Sequence, residues 1–131
     1  MEFEHNYDFY LLLDAVLNEP HKVKDIVVKN RAILDAENLS GENVLCWLAL
    51  ENHIEGVSLL RSLGSKIPQF TLCEAIEMGN TEMVILLLEL GADIEAEISF
   101  CRSAIDNEIY NLSSKKKRLI RSYFKQYGHE I

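Results

Sequence analysis

An all-α fold, a solenoid of helical repeats, is what this sequence predicts. One eight-residue pattern recurs four times, its apolar positions fall at helical spacing, and glycines suited to left-handed helix ends close the longer stretches. A chain of 131 residues holds one such domain and can remove roughly two-thirds of its extended surface from water. Residues 1–131 are therefore expected to form a single domain.

The repeat is read by setting four stretches above one another: Leu12 to Glu19, Leu45 to Asn52, Leu72 to Gly79 and Phe100 to Asn107. They are spaced by 33, 27 and 28 residues. Cys46, Cys73 and Cys101 share one slot, occupied by Leu13 in the first copy. In each copy the apolar slots, such as Leu45, Leu48 and Ala49, stand at i, i+3 and i+4, so each copy is a short inner helix with one buried face. Thr71 and Glu74 have capping-box spacing and are expected to start the third inner helix. A second helix follows each copy. Ile54 to Leu63 ends at Gly64, and Thr81 to Leu90 ends at Gly91, a residue suited to the left-handed C-terminal position. Between the first two copies, Asn38 to Asn43 carries the Asn, Ser and Gly of a tight turn. In the last copy Glu108 to Ser114 is inserted before a final helix, whose Leu119, Ile120, Tyr123 and Phe124 form an apolar closing stripe.

The paired stretches Asn52 to Leu60 and Gly79 to Leu88, completed by Gly91-Ala92-Asp93-Ile94-Glu95-Ala96, resemble ankyrin repeats. The resemblance implies an ankyrin-type solenoid of about four repeats, 8–36, 37–68, 69–96 and 97–131, with divergent terminal caps. The third copy matches the family nearly throughout, the second well, the outer two loosely. The second-to-third and third-to-fourth junctions are too short for a hairpin finger, so only the one around Gly41 is expected complete. The resemblance also puts His53 in a slot where a structural hydrogen bond is expected near the inter-helix turn.

Hydrophobic residues make up 48% of the chain and charged residues 26%, ordinary globular usage. The longest apolar run, Met83 to Leu90, is interrupted by Glu89 and falls short of the ~20 residues a membrane helix needs. Glu2 and Glu4 stand where a secretory signal would carry positive charge, and the odd cysteine count suits reduced thiols, so a cytoplasmic protein without membrane insertion is expected. The net charge of −8 is unevenly spread: residues 1–114 carry −13 and residues 115–131 carry +5. An acidic body repels phosphate backbones and draws a basic partner.

No catalytic, cofactor or metal site is expected. The cysteines lack the paired spacing of a zinc site and fit small buried thiols, on successive helices ~8–10 Å apart and too distant for disulfides. His5, His21, His53 and His129 form no metal-binding pattern, and no phosphate loop or nucleophile elbow occurs. Lys115 to Arg118, with Arg121 and Lys125, read either as a nucleic-acid patch or as the polar face of a capping helix paired with the acidic body.

What remains is a surface for another protein. If Leu45, Leu48 and Ala49 point inward, Trp47, Leu50 and Glu51 face the opposite, concave side. Equivalent slots hold Asp14 and Leu17, then Glu74, Glu77 and Met78, then Arg102, Ile105 and Asp106. By the resemblance, Leu39 and Glu42 on the finger, with Gln69 and Phe70 on the shortened junction, extend that face. Trp47 is either a binding anchor or a packing residue between copies. The reading is a non-enzymatic binding module, monomeric when free, acting by occupancy on a protein with a basic surface, as an inhibitor or an immunity protein against a toxin would. The alternative is an adaptor whose basic C-terminal helix holds nucleic acid, an anionic membrane or a second protein.

Overall fold

The computed structural model describes the backbone of residues 2–131 and the side chains from Tyr7 onward; the side chains of Glu2, Glu4 and His5 lie outside the described residues. The fold is all-α. Among the described residues the only extended pairing is an isolated antiparallel bridge between Glu37 and Asn43. The chain divides into two compact units, Met1–Pro68 and Gln69–Ile131.

The first unit contains α1 (Glu2–Asn18), α2 (Val23–Lys29), α3 (Val44–Leu50) and α4 (Ile54–Ser62), with 3-10 turns at Pro20–Lys22 and Arg31–Asp35. Helix α1 packs on α2 and α3, and α3 on α4, around fully buried Phe9, Leu12, Leu45, Leu48 and Leu60. Each such side chain contributes roughly 1.5–3 kcal/mol relative to exposure. The finger forms around Asn38, whose side-chain oxygen accepts the N–H groups of Ser40 and Glu42, both at 3.0 Å. Asn43 then starts α3, its Oδ1 accepting the Cys46 N–H at 2.9 Å while its amide donates to the Lys66 carbonyl at 3.2 Å. His53 caps α4: its Nδ1 accepts the Gly56 N–H at 2.9 Å.

The second unit contains α5 (Thr71–Glu77), α6 (Thr81–Glu89), α7 (Ile94–Asp106), a 3-10 turn at Glu108–Tyr110 and α8 (Ser114–Gln126). Helix α5 packs on α6 and α7, and α6 on α8, enclosing Leu72, Ile76, Met83, Leu87, Ile105 and Phe124. Helices α4 and α6 end as expected, with Gly64 at φ 102° and Gly91 at φ 91°. In both, the next residue's N–H reaches back five residues, Ser65 to Leu60 and Ala92 to Leu87, both at 3.0 Å, which satisfies a free end carbonyl.

Three expectations are corrected. Thr71 does not cap α5: the N-cap is Phe70, without a side-chain cap bond of its own, and the buried Thr71 hydroxyl has no hydrogen-bond partner. The fourth copy of the repeat is also read one residue out of register. Phe100 and Ser103, aligned with buried Leu72 and Ala75, are exposed, whereas Cys101, Ala104 and Ile105 are buried. A spacing of 29 residues, Cys101 under Leu72, matches the burial, so Ile105 belongs to the core and Asp106 takes the surface slot of Glu77. Helix α7 is kinked ahead of this stretch, at Glu97 (φ −135°, ψ 17°). Thirdly, Leu119 stays 37% exposed while Ile120 and Phe124 carry the closing stripe.

Candidate protein-binding faces

Glu97 organises the candidate face of the second unit. It is 3% exposed, and its carboxylate accepts the Cys73 N–H at 2.8 Å and the Phe70 N–H at 3.0 Å. It therefore caps α5 from another helix. Burial raises its pKa, although the two backbone hydrogen bonds act in the opposite direction. Phe70, held there, has φ 75°, a left-handed conformation that a bulky residue rarely adopts. Its ring packs edge-on against Phe100, with centroids 5.0 Å apart and planes at 88°.

Both rings remain open, Phe70 at 40% and Phe100 at 52% exposure. Within α5 and its C-cap, Glu74, Glu77 and Met78 stand at i, i+3 and i+4, which places these three on one side of the helix whose N-cap is Phe70. Glu74 and Glu77 are half-buried, and Met78 is 60% exposed. The Tyr110 hydroxyl donates to Glu77, an interaction that raises the tyrosine pKa. Negative charge is concentrated here. Burial first, then the charges of Glu77, Glu97 and Glu74, push the Cys73 thiol up to about 11. Arg102 and Asp106 lie further along α7, both exposed and both tied: Arg102 donates to the Glu130 carbonyl at 2.9 Å, and Asp106 pairs with Arg121.

Comparison with family models, with curated proteins and with solved structures finds no match for this chain. The reading of the site therefore rests on its own geometry and chemistry.

In the first unit, Trp47 and Leu50 are half-buried on α3, and Glu51 caps its C-terminus in the open. On the finger, Leu39 is 87% exposed and the Glu42 carboxylate accepts the Asn38 amide at 2.9 Å. Leu17 lies elsewhere, lining a hollow of about 250 Å³ with Val16, Pro20, His53, Glu55, Gly56 and Leu59. None of the Trp47 stripe lines that hollow.

Helix α8 carries the basic run. Lys115 to Arg118 occupy its first turns, the positive end of its dipole, and among the described residues none of the four forms an ion pair; only Arg121 of this helix does, with Asp106. The Lys116 amine lies over Gly79 at the C-terminal end of α5, 3.2 Å from where a Cβ on that glycine would stand. Among the described residues no helix is long and apolar enough to cross a membrane.

Sequence reasoning missed Phe100, Glu97 and Tyr110. A 29-residue offset in the last repeat was the available signal for Phe100, since it moves that residue out of the buried slot. Nothing local marks Glu97, whose partners lie 24 and 27 residues earlier.

Proposed function

We propose that this chain is an ankyrin-type repeat protein that binds another protein of basic surface and acts by occupancy, without catalysis, in the manner of an inhibitor or immunity protein. The observation that carries this reading is the second unit's exposed apolar groups, Met78 beside half-buried Glu74 and Glu77 on α5 and the open Phe70 and Phe100 rings packed on each other. Exposed apolar side chains ringed by like charge are an interaction-site signature, and a body of −13 over residues 1–114 steers a cationic partner toward it. Trp47, Leu50, Leu39 and Glu42 supply a corresponding face in the first unit.

The test is recovery of partners on tagged protein from its native cell, comparing the wild type with Trp47→Ala and with Phe100→Ala, each first shown to be folded. One dominant basic protein, lost in at least one variant, is expected. A partner list unchanged in both moves binding away from these faces, and a dominant partner with no activity to inhibit removes the inhibitor reading.

A second reading, an adaptor using α8, is favoured by the Lys115 to Arg118 run, which forms no ion pair among the described residues. Phosphate binding by these cations would weaken steeply with salt and disappear when all four become Gln.

A further inference from the structure

We propose that the hollow between the end of α1 and the start of α4 is a receptor for a lysine side chain presented by a basic protein partner. This rests on the protein-binding reading and specifies the chemistry of its partner. The hollow, about 250 Å³, lies wholly within the first unit. Leu17 and Pro20, both exposed, and half-buried Leu59 give it apolar walls, and buried Val16 and Gly56 complete the apolar part of the lining. Two lining side chains are polar. His53 Nδ1 already accepts the Gly56 N–H at 2.9 Å. Glu55, exposed, is the one carboxylate of the lining, no Lys or Arg lines the hollow, and Glu55 has no ion-pair or hydrogen-bond partner among the described residues. Lys22, two residues past Pro20, is paired with Glu19 at 3.1 Å and leaves that carboxylate uncompensated.

Apolar walls with a single free carboxylate select a side chain that is apolar along its length and cationic at its tip. Lysine is such a side chain: its aliphatic stem can lie against Leu17, Pro20 and Leu59 while its ammonium, a compact and strongly hydrated charge, meets Glu55 in the open. No Phe, Tyr or Trp lines the hollow, so the stacking that favours a guanidinium has no such ring to use. An acidic side chain is repelled by Glu55 and by the −13 of residues 1–114, and a wholly apolar one leaves the carboxylate unanswered. The receptor is preorganised. The His53 cap fixes the first turn of α4, and that turn lies so close to α1 and α3 that a Cβ on Gly56 would stand 3.0 Å from Val16 Cγ1 and 2.9 Å from Leu48 Cδ1. The walls thus keep their spacing without an occupant, which limits the ordering cost of binding.

The experiment is an NMR titration of the full chain with short capped Gly-Ser peptides containing lysine, norleucine, diaminobutyric acid or arginine. Norleucine keeps the stem without the charge, and diaminobutyric acid keeps the charge on a shorter stem. The lysine peptide is expected to shift the signals of Leu17, His53, Glu55 and Leu59, and the norleucine and diaminobutyric acid peptides to bind about threefold more weakly or worse. Glu55→Gln should weaken the lysine peptide about three- to fivefold and leave the norleucine peptide unchanged, while Asp25→Asn, at an exposed carboxylate of α2 outside the hollow, should change either by less than about twofold. Both substitutions fall at exposed positions, so the variants stay folded and informative. Shifts spread evenly over the acidic surface, a norleucine or diaminobutyric acid peptide that binds as well as lysine, an arginine peptide that binds more tightly, or indifference to Glu55→Gln would overturn the receptor. If the titration fails while a protein partner is recovered from the cell, the receptor alone falls; if the lysine peptide binds as expected and no protein partner is recovered, the hollow keeps its chemistry and the binding-module reading falls.

Discussion

The Glu97 carboxylate accepts the backbone N–H of Cys73 at 2.8 Å across 24 residues of chain, so the start of one helix is capped by the kink of another. Removing it leaves one buried and one part-buried donor unpaired. Glu97→Ala is expected to cost about 2 kcal/mol in urea denaturation, and Glu97→Gln, which keeps one acceptor oxygen, about half as much.

Acidity reports on the same residue. Burial raises the Glu97 pKa above its ordinary 4.5, so the folded chain holds that proton more tightly than the unfolded chain. The stability contributed by this group is therefore fully present below the unfolded value and is lost as pH rises through the folded one. Wild type should gain stability relative to Glu97→Gln as pH falls from neutrality toward 4.5. A difference that shrinks instead would mean that the two backbone hydrogen bonds outweigh burial and hold the folded pKa below the unfolded one.

Phe70→Gly separates strain from recognition. Glycine accepts φ 75° without penalty, gaining about 1 kcal/mol, while loss of the Phe100 edge contact costs a similar amount. Folding stability should stay within about 1 kcal/mol of wild type, while recovery of the protein partner from its native cell should fall.

In the first unit His53→Ala removes the cap on Gly56 and should cost about 1 kcal/mol. Gly56→Ala should cost more, about 2 kcal/mol, since its Cβ would stand 2.6 Å from His53 Nδ1 and 2.9 Å from Leu48 Cδ1. Thermal melts of the two variants decide the order.

The thiols should be inert in the native state. Cys46, Cys73 and Cys101 are buried thiols, and burial foremost raises both Cys73 and Cys101. A thiol-reactive chromophore at mild alkaline pH should label them only as the protein opens, with all three reacting at once in denaturant. Rapid labelling of Cys73 in the native protein would contradict its buried placement.

Much of the helical architecture was legible in the chain, because period, turn residues and helix-ending glycines act within a few residues of themselves. The i, i+3, i+4 apolar slots of α3 and α5, the stops at Gly64 and Gly91, and the finger around Gly41 are of this kind. Of the candidate surface, Glu74, Glu77 and Met78 could be placed on one side of α5 from helical spacing alone, whereas Phe70 entered only through the family resemblance. What only the tertiary structure decided was the register of the last repeat and the cap of α5. Glu97 stands at the kink of α7, ahead of exposed Phe100 and buried Ile105, and binds a helix start 24 residues away. A carboxylate brought to distant backbone donors by packing leaves no periodic trace in the sequence, because its partners are main-chain groups that every residue but proline carries.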